Sequence, residues 1–465
     1  MEIRNEAEEK LIFSFEIQNC KDNNYYQISV CDDEGNFKTS EILCENGGGT
    51  IYFKESMEYI FVFEKRQKIT LIISSRTLYD KPDNIVKIIS LANIVTSKSG
   101  IYKTDLRDSY DTETIEITVK KSKENLEKKY LFDYLKSGIK LSCFISFDFS
   151  LKNISKIKDD NLSILKNIFQ CIEDYTEDQL YYSSGFGAKT KESNNPAFDF
   201  DKSKLNSDEL IEKYKNYLES KNIIPDKKIE LSHLIKKITS DIYNIYEPTK
   251  YNVLFVLISK DIDKKDKKNL IHQIIASCYL PLSIFIIGVG NQNFTESNAI
   301  LNKINKYSNE GLEKVRDNVL FTTNMSNITA SKTISFCLRE LSKQMIQYYI
   351  YNKYSPENDE KENKKMLEGS INIFKIVQNE NNINNKDNNN SHSNSTPIQS
   401  NSLDTPGNSD NQVTKSTPES NKNNTKSENN DIYSLKGSEF YPQKSNPFSK
   451  NSSSKTDYNS LKNSD

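Results

Sequence analysis

The sequence predicts an all-β sandwich, then an α/β doubly wound domain, then a disordered tail. Residues 11–119 contain short runs rich in β-branched and aromatic residues, separated by turn sequences such as DEGN at 33–36. From residue 138 onward, apolar strand-like runs alternate with amphipathic helical segments, which is typical of a parallel sheet covered on both faces. After residue 355, Asn, Ser, Lys and Asp dominate, and the remaining apolar surface is too small to offset the entropy of ordering.

These changes in composition set the predicted domain boundaries. We expect the sandwich over 1–119, a charged linker over 120–137, the α/β domain over 138–355 and the disordered tail over 356–465.

Composition excludes several classes of protein. The formal net charge of −2 gives no global attraction to nucleic acid. None of the seven cysteines forms a CxxC pair and there are only three histidines, so we expect reduced thiols and no zinc module. No run approaches the roughly 20 apolar residues of a transmembrane helix. We therefore expect a cytoplasmic protein, with any contact at the plasma membrane being peripheral.

No pattern in the sequence predicts catalysis. Gly288-Val289-Gly290 follows a strand but lacks the third glycine and the acidic residue of a dinucleotide-binding loop, which favours a tight turn. The adjacent Ser232 and His233 do not constitute a triad. The sequence therefore predicts a protein that is not an enzyme.

An ordered series of segments resembles the copine family. The series is FISFDFS at 144–150, GFGA at 185–188, ASCYLPLSI at 276–284 and VRDNV at 315–319. Copines carry a von Willebrand A-type (vWA) domain, so the resemblance implies that fold for the α/β region. The segment GNFKTSE at 35–41 is similar to part of a copine C2 domain. Family members usually carry two C2 domains, whereas about 130 residues precede the α/β region here.

The resemblance also implies a divalent cation at the carboxyl ends of the parallel strands. An ion held there would be Ca²⁺ or Mg²⁺, which take hard oxygen ligands. Lys152 stands where a hydroxyl ligand belongs, and Lys260 stands where an acidic ligand belongs. We expect a degenerate site with no confident cofactor, or a lysine ammonium that pairs with the first carboxylate in place of the metal. The candidate ligands are Asp148, Ser150, Ser232 and Asp261.

The C2-like loops are similarly poor in calcium ligands. Calcium-binding C2 domains gather about five aspartates, because Ca²⁺ takes six to eight oxygens. Here the basic residues among the carboxylates favour contact with anionic lipid without calcium. The candidate loop residues are the carboxylates Asp22, Asp80 and Asp83 and the cations Lys21, Arg76 and Lys81.

The tail contains one short motif. Asn446-Pro447-Phe448 matches the turn that EH domains of endocytic adaptors bind, although so short a match arises easily by chance. Taken together, the sequence predicts a copine-like, non-enzymatic adaptor with little metal dependence. We expect protein partners at the vWA domain, anionic phospholipid as a second partner at the C2-like domain, and no nucleic acid. The alternative is a calcium-dependent phospholipid-binding protein with a functional vWA metal site.

Overall fold

The computed structural model describes residues 8–44, 49–107, 113–122, 129–151, 157–190, 195–220, 223–226, 229–302, 304, 314–324 and 329–390. The strands of the N-terminal half are β1 (Glu8–Gln18), β2 (Tyr25–Asp32), β3 (Phe37–Thr39), β4 (Leu43–Cys44), β5 (Ile51–Tyr52), β6 (Met57–Val62), β7 (Lys68–Arg76), β8 (Asp83–Ser90), β9 (Ile101–Asp105) and β10 (Thr114–Lys121).

The strands that follow are β11 (Lys140–Asp148), β12 (Thr176–Phe186), β13 (Ala188–Thr190), β14 (Ala197–Asp199), β15 (Ile223–Pro225), β16 (Lys250–Ile258), β17 (Leu282–Val289) and β18 (Val319–Asn324). The helices are α1 (Leu91–Val95), α2 (Leu131–Lys136), α3 (Lys158–Ile172), α4 (Ser207–Glu219), α5 (Leu231–Asn244), α6 (Lys267–Ser277), α7 (Thr295–Leu301), α8 (Ala330–Tyr351) and α9 (Glu360–Asn390).

Two antiparallel sheets form the N-terminal sandwich. The first has the order β5-β1-β10-β9, with β6 also paired to β1; the second has the order β3-β2-β7-β8, with β4 also paired to β2. Alternation along each strand places one set of side chains between the sheets. In β7, Ile69, Leu71 and Ile73 are buried while the residues between them are partly exposed. The predicted all-β sandwich is confirmed.

A six-stranded mixed sheet forms the core of the α/β region. Its order is β14-β12-β11-β16-β17-β18, and β14 alone runs antiparallel to its neighbour. Counted along the chain, this is the doubly wound order 3-2-1-4-5-6. Helices α3, α4 and α8 pack on one face, and α5, α6 and α7 pack on the other. Both faces are covered, which explains why β16 and β17 are almost entirely apolar.

The predicted linker and the start of the predicted tail are both partly structured. β10 extends to Lys121, and α2 contacts strand β1 through Glu9. Residues 360–390 form α9, so the prediction of disorder from residue 356 is wrong for this stretch. The helix bears a buried stripe of Leu367, Ile371, Phe374 and Val377. Ile371, Phe374 and Val377 pack into the core on the α5–α6 face of the α/β domain, where the ring centroids of Phe374 and Tyr243 lie 5.8 Å apart, whereas Leu367 packs into the other core, which includes α8. Residues 391–465 lie outside the described ranges.

The sandwich and the α/β domain share an interface. Both carboxylate oxygens of Glu9 accept the Phe132 N–H at 3.2 Å. Ser90 Oγ donates to Asp174 at 2.6 Å, and the rings of Phe63 and Tyr175 lie 4.8 Å apart. These contacts bury polar and aromatic groups from both domains.

Candidate functional site

The first candidate site lies where the strand order of the α/β sheet reverses. β11 and β16 are neighbours there, and the crevice beyond their carboxyl ends is the usual ligand site of an open α/β sheet. Asp148 is the last residue of β11, and Ser259 directly follows β16. The carboxylate accepts the Ser150 N–H at 2.7 Å, the Ser259 N–H at 2.8 Å and the Ser259 hydroxyl.

Burial controls the charge on Asp148. The side chain is 2% exposed, and loss of hydration raises the pKa of its carboxyl above the usual range. Hydrogen bonds from Ser150 and Ser259 oppose this shift without cancelling it. The protein's own N–H and O–H groups therefore already satisfy this carboxylate.

Gly187 closes over Asp148 from the neighbouring strand end. Its φ of +71° lies in the left-handed region, and a Cβ there would come within 2.7 Å of Asp148 Oδ1. The GFGA segment thus brings backbone into direct contact with the carboxylate, which only glycine permits.

Lys260 covers the same loop. Its ammonium donates to the backbone carbonyl of Ser150. No ion pair joins Lys260 to Asp148 among the described residues, so Lys260 does not take the place of a metal by pairing with Asp148. Lys152 lies outside those residues.

The other two predicted ligands are engaged elsewhere. Ser232, at the start of α5, donates through its N–H at 3.0 Å and through its hydroxyl to Asp266. Asp261 accepts the N–H groups of Glu296 and Ser297 at 2.8 and 2.7 Å, which places it at the start of α7. Neither side chain is joined to Asp148. Asp266 is a buried carboxylate that was not predicted, because its setting in the lysine-rich run DKKDKK hides it.

The donor set does not fit a divalent cation. Ser150 Oγ is buried and makes no hydrogen bond of acceptable geometry to a described residue, which is the one feature that favours a missing ligand. Against it, both Asp148 oxygens accept protein donors and an ammonium lies on the adjacent carbonyl. A positive charge so close to the crevice repels a cation strongly where water is excluded. Across the described ranges, no three His, Cys, Asp or Glu side chains are grouped to hold a metal ion.

The second candidate site is one end of the sandwich, which we name the loop end. Gln18 pairs with Thr114, and Tyr25 pairs with Arg76, so the connections between these strands lie at the same end. The loop end comprises residues 19–24, 77–82, 106, 107 and 113. All six predicted loop residues lie within it or at the adjoining strand ends.

The carboxylates of the loop end are held by protein donors rather than gathered into a cage. Asp80 accepts the Thr77 hydroxyl at 2.5 Å, and Asp83 pairs with Arg107. Asp22 is exposed. The buried acid of this region is Glu113, which accepts the Tyr26 hydroxyl and lies 3.8 Å from Lys21 Nζ.

Two large apolar side chains project from the loop end. Leu78 is 64% exposed and Tyr79 is 92% exposed, and they stand between the exposed cations Arg76 and Lys81. The cations were predicted from the sequence, whereas the apolar pair was not. A signal was present, because Leu-Tyr in a polar loop has no neighbouring apolar residue with which to form a core.

The predicted Asn446-Pro447-Phe448 motif lies outside the described residues. Among those residues, no helix is both long enough and apolar enough to cross a bilayer.

Comparisons with known proteins identify the α/β region. Residues 150–357 match the model of the copine family. The chain carries a copine domain, and the resemblance to the copine family found in the sequence is confirmed. Copine-A of Dictyostelium discoideum is 32% identical over 108 residues, which are 23% of this chain and 18% of Copine-A. The matched part therefore spans under a fifth of that relative.

Two solved structures each resemble a part of the chain. A C2 domain of plant Extended Synaptotagmin 1 aligns over 24% of this chain and 95% of its own length, at 12% identity and a TM-score of 0.20. Manganese-loaded TRAP protein of Plasmodium vivax aligns over 43% of this chain and 73% of its own length, at 8% identity and a TM-score of 0.31. Scores this low carry no argument, and the assignment rests on the match of residues 150–357 to the copine model.

Proposed function

We propose that this chain is a non-enzymatic, copine-like adaptor. Its C2-like sandwich contacts anionic phospholipid surfaces with little dependence on metal, and its copine domain, of vWA type, binds protein partners. The contact with membrane is peripheral.

The loop end carries the membrane half of the proposal. Tyr79 and Leu78 present apolar surface to solvent at the tip of a loop, where burying it in the headgroup region is favourable. Arg76 and Lys81 on either side each contribute up to about 1 kcal/mol near an anionic surface. Asp80 accepts the Thr77 hydroxyl and Asp83 pairs with Arg107, so both carboxylates are engaged within the protein without calcium.

The crevice at Asp148 supports the protein-binding half. It lies at the edge of the sheet where ligands of this architecture bind. The Lys260 ammonium and the satisfied Asp148 carboxylate leave a surface on which a partner docks without a bridging cation.

The chemistry of the side chains supports a role without catalysis. Burial raises the pKa of the Cys143, Cys278 and Cys337 thiols, which makes them poor nucleophiles at neutral pH. His233 is half exposed and lies 3.4 Å from Glu230 on the surface of α5.

Co-sedimentation with vesicles tests the membrane half. We expect the chain to pellet with phosphatidylserine-containing vesicles and not with phosphatidylcholine alone, equally in calcium and in EGTA. Leu78→Ala with Tyr79→Ala should abolish pelleting. Phe37→Ala with Ile60→Ala, two side chains exposed elsewhere on the sandwich, should not. Pelleting only in calcium would overturn the proposal in favour of the calcium-dependent alternative.

A further inference from the structure

A cleft of about 1000 Å³ lies at the amino ends of the parallel strands, away from Asp148. Lys140 and Lys250, the first residues of β11 and β16, line it. The sandwich contributes the turn that contains Lys98 and Ser99, and the chain leading into α9 closes the other side. The cleft therefore lies between the two domains.

The acidic residues of this cleft are largely neutralised by the protein itself. Asp133 pairs with Lys121 at 2.8 Å, and Glu357 pairs with Lys129. Lys250 pairs with the other two, which are Glu177 at 2.8 Å and Glu247 at 2.8 Å, and Lys204 lies 3.4 Å from Glu177 as the second cation of this group. Of the lining carboxylates, Glu360 alone has no ion pair within the described part of the chain.

Four lysines of the cleft, unlike most of its carboxylates, have no partner of opposite charge within the described residues. None of them forms an ion pair with a carboxylate in the ranges that the structure describes, and Lys136 has only a ring contact with Phe132 at 5.9 Å. The balance is four ammonium groups against one carboxylate, so the cleft attracts anions. These lysines are Lys98, Lys136, Lys140 and Lys364.

Packing places Lys136 beside the turn of the sandwich, and strand pairing places Lys140 beside Lys250. A Cβ at Gly100 would lie 3.1 Å from Lys136 Cε, so the Lys136 side chain runs along the turn that holds Lys98. Lys140 is the register partner of Lys250 on the adjacent strand. Because Lys204 and Lys250 together balance Glu177 and Glu247, the charge of the Lys140 ammonium is left to a ligand.

We propose that this cleft binds a compact ligand bearing several phosphate groups. Lysines are strong point-charge partners for phosphate, and a spread of four suits several phosphates better than one carboxylate. The volume is that of a small-molecule site. An inositol polyphosphate and the phosphorylated headgroup of an inositol lipid share this chemistry.

Calorimetric titration with inositol hexakisphosphate tests the site in the full chain. We expect the wild type to bind, and Lys98→Ala with Lys140→Ala to weaken binding about tenfold or more. Lys54→Ala with Lys65→Ala removes the same charge from exposed sandwich positions and should leave affinity within about twofold. The Lys98→Ala, Lys140→Ala variant should unfold at the same temperature as the wild type, which excludes a folding defect as the cause of weaker binding. No binding by the wild type, or equal loss in both pairs, overturns the proposal.

Vesicles containing phosphatidylinositol 4,5-bisphosphate separate the two sources of the ligand. If the cleft pair weakens binding to these vesicles as well as to the hexakisphosphate, the ligand is a lipid headgroup; loss for the hexakisphosphate alone assigns a free polyphosphate. Leu78→Ala with Tyr79→Ala should leave hexakisphosphate binding unchanged, so failure at the loop end and failure at the cleft are distinguishable.

Discussion

The Glu9 carboxylate of the sandwich accepts the backbone N–H of Phe132, near the start of α2, through both of its oxygens. The side chain is 5% exposed, with Asp133 and Lys121 as its charged neighbours. Because this carboxyl lies at the interface, its protonation makes the stability of the contact between the two domains depend on pH.

Stability should fall as the pH rises across the neutral range. Burial raises the pKa of Glu9 from 4.5 to about 8. The folded chain then keeps a proton that the unfolded chain releases near pH 4.5. The contribution of this proton to the free energy of unfolding is therefore complete below pH 4.5, declines between pH 4.5 and about 8, and stays constant at higher pH. The midpoint of thermal unfolding of Glu9→Gln should depend less on pH over this window than that of the wild type. For the exposed control Glu58→Gln, the pH dependence should match the wild type. Equal slopes in all three proteins would refute the assignment.

Arg316 should be among the most sensitive positions of the copine domain. It is 7% exposed and donates to the carbonyls of Cys278, Leu280 and Leu282. Arg316→Ala leaves these buried acceptors unsatisfied and should cost about 3 kcal/mol or more in unfolding free energy. Arg316→Lys should also destabilise, because an ammonium cannot reproduce the planar fork. In denaturant titrations, Lys343→Ala, which breaks a surface pair, should cost at most about 1 kcal/mol. A fully stable lysine variant would contradict this role.

Two glycines should respond in opposite directions to alanine. Gly187→Ala forces a side chain into the left-handed region and against Asp148 Oδ1, so we expect a loss of about 2 kcal/mol or more. Gly369, within α9, has open space where a Cβ would lie. Because alanine has the higher helix propensity, Gly369→Ala should raise the free energy of unfolding by about 0.5–1 kcal/mol. Chemical denaturation measures both. A neutral Gly187→Ala would mean that the close approach to Asp148 is relaxed in solution.

Divalent cations should leave the stability of the copine domain unchanged. Its first candidate ligand, Asp148, is already satisfied by protein donors, and the Lys260 ammonium lies on the adjacent Ser150 carbonyl. After treatment with chelator, adding Mg²⁺, Mn²⁺ or Ca²⁺ should not move the midpoint of thermal unfolding. A saturable upward shift that Asp148→Asn removes would show that a metal displaces the lysine.

Much of the fold could be predicted from the sequence because its signals are local. The apolar runs that became β16 and β17 and the alternation in β7 directly reflect two-faced and one-faced burial. Helix α9 was missed because its first turns are polar and its apolar residues directly precede an Asn-rich stretch. Its stability comes from packing on α5 and α6, which composition does not reveal.

The site was predicted less well because it depends on where side chains point. Asp148 and Ser150 lie together at the end of a strand, as predicted. Ser232 and Asp261 instead form hydrogen bonds with Asp266 and Ser297. The register of the loop decides which of two neighbouring side chains points into the crevice, and a single sequence does not determine that register. The exposure of Leu78 and Tyr79 was likewise not predicted, although an apolar pair in a polar loop was a signal for it.

The buried stripe of α9 has a consequence for how the chain is made on the ribosome. Leu367, Ile371, Phe374 and Val377 are synthesised after every strand of the copine domain, yet they pack onto its cores. A nascent chain that has completed its sheet therefore exposes an apolar strip until α9 emerges from the exit tunnel. At roughly 5–20 residues per second this lasts seconds, a period when a chaperone that binds apolar surface has a defined target.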